Sequence, residues 1–271
     1  MKRIVSIILL IITGFAAFDD MNAEVYSNGL GGITSFTNGS DAIFGNPAGF
    51  SYQYNSERNL FATSHYSNYW GLSVLSYVGL GLGYKSRYGD FGIGFRNFGQ
   101  ADLYTEDIFS LSYAKSMFKD IHIGFRFNYG HIDQGSYGAI NSYLLDMGMI
   151  WPASEKLAFA FLWQNLSQSS LDIDGEIIEI ESPISFTMEL LPFEWVKLYF
   201  DLQNYKDSDY RIRIGQNINI ADYFSVNMGI SGVPNKFHLG IMAEKFDITL
   251  GYSAVFHTEL GMTNHIILKY D

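Results

Sequence analysis

Ile121-His122-Ile123-Gly124-Phe125-Arg126-Phe127-Asn128-Tyr129 sets an apolar side chain at every odd position and a small or polar one at every even position. Successive side chains of an extended backbone point to opposite sides, so this period of two is the signature of a β-strand with two unlike faces. The pattern recurs along the chain. Phe91, Ile93 and Phe95 alternate with Gly92, Gly94 and Arg96, and Val196, Leu198, Phe200 and Leu202 with Lys197, Tyr199, Asp201 and Gln203. Phe224, Val226, Met228 and Ile230 do the same against Ser225, Asn227, Gly229 and Ser231, and Phe237, Leu239 and Ile241 continue the series. Alternation alone fits a soluble sandwich as well as a membrane barrel. Length decides: the runs reach the roughly 9–11 residues that a tilted strand needs to cross a bilayer, against about 5–6 in globular sheets. Trp151, Trp163, Trp195 and Tyr223 stand at run ends, where a barrel carries its aromatic girdles.

Composition agrees with a chain that meets lipid. Aromatic residues make up 17% of the 271, charged residues also only 17%, and 27 glycines stand against 5 prolines, unlike an ordinary soluble domain. The net charge of −11 comes without the basic stripe that a phosphate backbone requires, which excludes nucleic acid as a partner. Cysteine is absent, so disulfides and thiolate metal sites are excluded. Residues 1–23 read as a signal peptide: Lys2 and Arg3, the apolar run Ile4 to Phe18, then Met21-Asn22-Ala23 with cleavage expected after Ala23. That run is shorter than the roughly 20 residues of a membrane helix, and no later stretch reaches that length, so insertion must use strands.

The expected architecture is a transmembrane antiparallel β-barrel over residues 59–271 in the outer membrane. Its strands are placed at 59–66, 72–85, 90–99, 107–115, 120–130, 141–150 and 156–165, then at 183–191, 196–204, 210–219, 223–231, 236–244, 246–255 and 260–270. Trp70, Leu72, Val74, Val78, Leu80, Leu82 and Tyr84 keep one parity, which reads as a single strand and keeps the count even, as single-chain bacterial barrels require. Connections 86–89, 116–119, 192–195, 221–222 and 245 are short; 100–106, 131–140 and 166–182 are long and expected on the outer side. Asp174-Gly175 between apolar residues predicts a hairpin above the membrane, where Asp172, Glu176, Glu179 and Glu181 are solvated. The closing strand, with Ile266, Leu268 and Tyr270 on one face, resembles the C-terminal assembly signal of outer-membrane proteins.

Residues 24–58 do not alternate. Ser40 is placed to cap a short helix through Phe44, which Gly45 and the pre-proline Asn46 end. The order of signal peptide, Gly-rich stretch, Asp41-Ala42-Ile43-Phe44-Gly45-Asn46-Pro47-Ala48-Gly49 and then a barrel resembles the FadL-like outer-membrane proteins, especially the PorV/PorQ-like family. The resemblance implies an N-terminal hatch inside a 14-stranded barrel, with Asn46, Pro47, Ala48 and Gly49 as its motif. It implies either of two roles: a channel for small hydrophobic molecules, or an accessory protein of type IX secretion that works through partners in that system. The chain thus has three parts, 1–23, 24–58 and 59–271.

With the apolar face turned to lipid, the opposite face lines the lumen. Lys85, Arg96, Arg126, Lys197, Arg211 and Arg213 fall there against Asp146, Glu189, Asp201, Glu244 and Asp247, a near-balance that predicts internal ion pairs rather than a strongly selective open pore. Gly79, Gly81, Gly83, Gly92 and Gly94 share that face on one hairpin, where a backbone approaches closely or the wall bends to open a sideways exit. The six histidines, at 65, 122, 131, 238, 257 and 265, form no metal or nucleophile pattern, and the chain reads as neither an enzyme nor a cofactor carrier. His122 and His238 are expected to line the lumen as hydrogen-bonding groups.

Overall fold

The computed structural model describes residues 25–52, 59–118, 120–135, 138–173, 176–204, 210–232 and 235–271; the signal-peptide reading of 1–23 lies outside them. The strands are β1 Leu60–Asn68, β2 Ser76–Ser86, β3 Gly89–Gln100, β4 Tyr104–Met117, β5 Ile121–Asp133, β6 Ala139–Ser154, β7 Leu157–Trp163, β8 Ser170–Ile173 and β9 Glu176–Glu179. They continue as β10 Ile184–Phe193, β11 Val196–Asn204, β12 Arg211–Ala221, β13 Phe224–Ser231, β14 Lys236–Lys245, β15 Ile248–His257 and β16 Gly261–Tyr270. Fourteen of them close into one antiparallel transmembrane barrel, and β8 with β9 forms a separate hairpin. Closure comes from β1 against β16, from Ala62↔Tyr270 to Asn68↔Asn264, which removes both sheet edges.

The alternation survives in burial. Along β5, Gly124, Arg126, Asn128 and Gly130 are buried toward the lumen, while Phe125 and Phe127 are exposed on the outer wall. Leu80, Leu82, Phe109, Leu111, Leu239, Ile241, Ile266 and Leu268 share that exposed face, which is stable only against hydrocarbon. Of the expected girdle, Trp151, Trp195 and Tyr223 are exposed at one end of the barrel. Trp163 ends β7 at the other and donates from Nε1 to Ser182 Oγ at 3.0 Å.

Three expectations need correction. The strand expected at 72–85 is single and unbroken but begins only at Ser76: Asn68 pairs with Ser76, and two 3-10 turns, Tyr69–Gly71 and Ser73–Leu75, connect it to β1. Trp70 and Gly71 are both left-handed, at φ 53° and 74°, and reverse the chain while leaving the apolar parity of its neighbours intact. Connections 100–106 and 131–140 shrink to 101–103 and 134–138, because β3, β4, β5 and β6 run on beyond the apolar band. Finally, Ser40 does not cap a helix. It lies inside a 3-10 turn, Gly39–Ile43, preceded by Asn38 without a side-chain cap, whereas Asn46 caps the next turn, Pro47–Phe50, by accepting from the Ala48 N–H at 3.0 Å.

The longest connection, 164–183, carries the β8–β9 hairpin at the end opposite both β1's start and β16's finish. Leu171 and Ile180 of this loop are buried against Ile132 and Leu144, so the hairpin is fastened to the wall by an apolar contact.

Candidate functional site

Residues 27–52 lie inside the barrel and are almost wholly buried. The segment opens with a short helix, α1 (Val25–Gly29), and continues through the two 3-10 turns. Five prolines and glycines within residues 45–49 and 31–32 keep it from forming a strand of its own. Its apolar side chains sort into two groups. Leu30, Ile33, Phe36, Ala48 and Tyr52 pack with Ile150, Ala158, Ala160 and Tyr199 of the wall; Ala42, Ile43, Phe44 and Phe50 pack with Phe61 and Ala114. The wall beneath the segment is apolar in these two patches.

It is bare at glycines. A Cβ on Gly81 would lie 2.7 Å from Ile43 Cδ1 and one on Gly94 2.8 Å from Phe44 Cε1, and one on Gly92 would overlap the Phe50 ring. Gly79 and Gly83 make room instead for wall side chains, His65 and Phe61. Between these strands the ladder runs without a register shift, from Ser86↔Gly89 to Tyr77↔Phe98 and from Asp90↔Ala114 to Gln100↔Tyr104. Five more inward glycines lie outside the predicted patch, though the alternation already sets Gly124 and Gly229 opposite the apolar face: Gly124 and Gly148 face Pro47, Ala48 and Asn46, while Gly215, Gly229 and Gly240 face Gly29, Leu30 and Gly31. The same parity that marked the first five would have marked these.

Two arginines fasten the segment. Arg126 Nε and Nη2 each lie 2.8 Å from Asp146 Oδ2 on the neighbouring strand, and its Nη1 donates to the carbonyls of Ile43 at 3.1 Å and Gly45 at 2.7 Å. Arg213 repeats the scheme: Nε and Nη2 reach Asp201 Oδ2 at 2.7 Å, and Nη1 donates to the Gly32 carbonyl at 2.6 Å. Each guanidinium thus spends one edge on a wall carboxylate and its remaining nitrogen on the segment. Planar five-donor geometry makes arginine suited to this double duty, which lysine could not perform. The carboxylates are satisfied elsewhere as well: Asp146 accepts from Asn128 Nδ2 and the Asn165 N–H, both at 2.8 Å, and Asp201 from Thr187 Oγ1 at 2.6 Å and Ser35 Oγ at 2.9 Å.

Asn46 joins segment to wall by a third route. Its Nδ2 donates to the carbonyls of Ser35 at 2.7 Å, Phe161 at 3.1 Å and Met149 at 3.4 Å, while Pro47, Ala48 and Gly49 form the buried turn that it caps. His238 and His122 contact the segment at Asn28 O (2.7 Å) and Ser51 Oγ (3.1 Å). At the short-turn end Lys269 Nζ pairs with Asp41 Oδ2 at 2.7 Å, and the Ser40 N–H donates to Asp271 Oδ1 at 2.8 Å. Burial pushes the Asp41 carboxyl above the ordinary aspartate range, and Lys269 opposes that shift. Lys269 was missed although its parity opposes Leu268 and Tyr270.

The remaining charges on the inward face do not form one balanced set. Glu244 and Asp247 are exposed at the short-turn rim and lie outside the lumen: β14 ends at Lys245, and Phe246 and Asp247 turn at φ 55° and 65°. Lys85 faces Asp90 near the same rim, and Glu189 is buried opposite Tyr199 in the ladder, with Lys197 two residues before that tyrosine. Arg96 is buried 5.5 Å from the Phe44 ring, with Ser110 Oγ at 3.4 Å and Asn128 Oδ1 at 3.3 Å. Above the segment a cavity of about 160 Å³ opens toward the long loops, with Gly31, Gly32 and Thr34 in its floor and Trp70, Gln164 and Pro183 at its mouth. Arg96, Arg126, Arg211, Arg213 and Lys236 line it against Asp146 and Glu181.

No family model and no curated protein matches the sequence. Among solved structures, the Ralstonia pickettii toluene transporter TbuX is 8% identical at a TM-score of 0.66, over 93% of this chain and 98% of that one. The Pseudomonas putida toluene transporter TodX is 10% identical at 0.63, over 92% and 97%. A Pseudomonas aeruginosa FadL homologue is 10% identical at 0.60, over 92% and 98%. Near-complete coverage in both directions at so low an identity establishes one thing: this chain has the fold of the FadL-like transporters.

Proposed function

We propose that the protein is an outer-membrane channel for small hydrophobic molecules, in which residues 24–58 act as a hatch. The observation that carries this reading is what the segment covers. Where its apolar side chains pack, the wall consists of Phe61, Ala114, Ile150, Ala158, Ala160 and a bank of glycines, so a shift of the segment would uncover apolar surface beside the Arg126–Asp146 and Arg213–Asp201 pairs. The shared fold with toluene transporters supports the same reading. An accessory role in secretion receives less support, because the connections on the long-loop side are short apart from 164–183 and offer a partner little surface.

The test is uptake of radiolabelled toluene by a bacterial host that lacks its own hydrocarbon channel. Cells carrying the folded protein in their outer membrane should accumulate toluene faster than vector controls. Equal rates, with the barrel folded and present, would reject the channel reading.

A further inference from the structure

Basic side chains outnumber acidic ones around the outer cavity. The ladder sets Arg213 beside Ser231, Ser231 beside Lys236 and Lys236 beside His257, so four neighbouring strands, β12 to β15, place these residues on one rung facing the outer cavity. Asp201, the carboxylate next along that rung, already accepts from Arg213, Thr187 and Ser35. The ring nitrogens of His257 are sorted by their surroundings. The backbone N–H groups of Glu259 and Leu260 both donate to Nδ1 at 3.1 Å, so in the neutral ring the proton sits on Nε2, which is left as a donor. Ser231 is engaged with His238 Nε2 at 3.0 Å and adds no donor.

We propose that Lys236 and His257 form a binding site for a small oxyanion at the outer mouth of the barrel. Lys236 brings three donors on a point charge, and His257, its neighbour in the ladder, brings its Nε2–H. Positive groups in a concave wall of low dielectric concentrate their field and raise the local concentration of anions. The size of the cavity, about 160 Å³, lies below the roughly 300–1,000 Å³ of sites for drug-sized ligands and suits a phosphate, sulfate or short carboxylate. Neither residue belongs to the apolar clusters that pack against the segment.

Calorimetric titration of the full-length protein in detergent tests it, with inorganic phosphate in one arm and octanoate in the other. Phosphate should bind, and Lys236→Gln should weaken it roughly tenfold, the size of one charge-assisted contact. Lys85→Gln, at the opposite rim, should leave it unchanged. Phosphate that fails to bind, or binds Lys236→Gln as well as the parent, overturns the proposal. Octanoate bound without phosphate also overturns it, since the mouth would then hold the head of an amphiphile. Toluene uptake by the parent protein is read separately, so a failure to bind phosphate and a failure of the channel reading remain distinguishable.

Discussion

Replacing Arg126 with methionine separates two roles of one side chain. The variant keeps an apolar stem of similar length but loses both hydrogen bonds to the segment, at Ile43 O and Gly45 O, and both contacts with Asp146. Hydrogen bonds from a charged donor contribute about 1.5–3 kcal/mol each, so segment docking should weaken by at least roughly 3 kcal/mol. At about 1.4 kcal/mol per factor of ten, the undocked population rises by roughly two orders of magnitude. Asp146 still accepts from Asn128 and Asn165, which moderates the penalty to the wall. The assay is limited proteolysis of the purified barrel under conditions where reclosing outruns cleavage, so the cutting rate within residues 27–52 follows the undocked fraction. Heat-induced loss of the compact gel mobility, read on the same samples, reports the barrel. Cleavage should accelerate by roughly a hundredfold with a smaller change in barrel melting. Protection within about threefold of the parent would refute the clamp, as would segment and barrel loosening together, because Arg126 would then hold only the wall.

Gly148→Ala should release the segment without melting the barrel, since its Cβ would overlap Asn46 Oδ1; Gly232→Ala, 3.8 Å from its nearest neighbour, should be neutral in both assays. Asn46→Ala removes a cap at a cost of about 1 kcal/mol and leaves the Ser35 and Phe161 carbonyls short of a donor; hydrogen exchange should speed up first at Ala48 and Gly49. Lys269→Met leaves Asp41 buried without its cation. Because burial already raises the Asp41 pKa, the protonated form favours docking; protection should be greatest in acid and fall as pH rises through the raised value, more steeply in the variant. A variant whose segment protection is flat with pH would contradict that sign.

The wall was legible because its determinants are local. A period of two needs only neighbours in the chain, and membrane strands repeat it for long enough to be counted, which is why β5 could be read from nine residues. The same locality explains the error at 69–75: two left-handed residues turned the chain without disturbing the alternation on either side, and Gly71 alone among glycines gave too weak a mark. Alternation also named Arg96, Arg126, Arg213 and Asp201 as lumen residues, and it assigned Glu244 and Asp247 inward because parity carries no information about depth.

The sequence by itself therefore determined a closed, lipid-facing wall, its strand number and the identity of its inward face. Only the tertiary structure decided what fills it. Arg126 meets Gly45 across 81 positions and Lys269 meets Asp41 across 228, contacts that no local pattern encodes. The gathering of basic side chains around the cavity above the segment arises because depth in a barrel is set by strand stagger and by where each turn falls, both of which exist only once the ladder has closed.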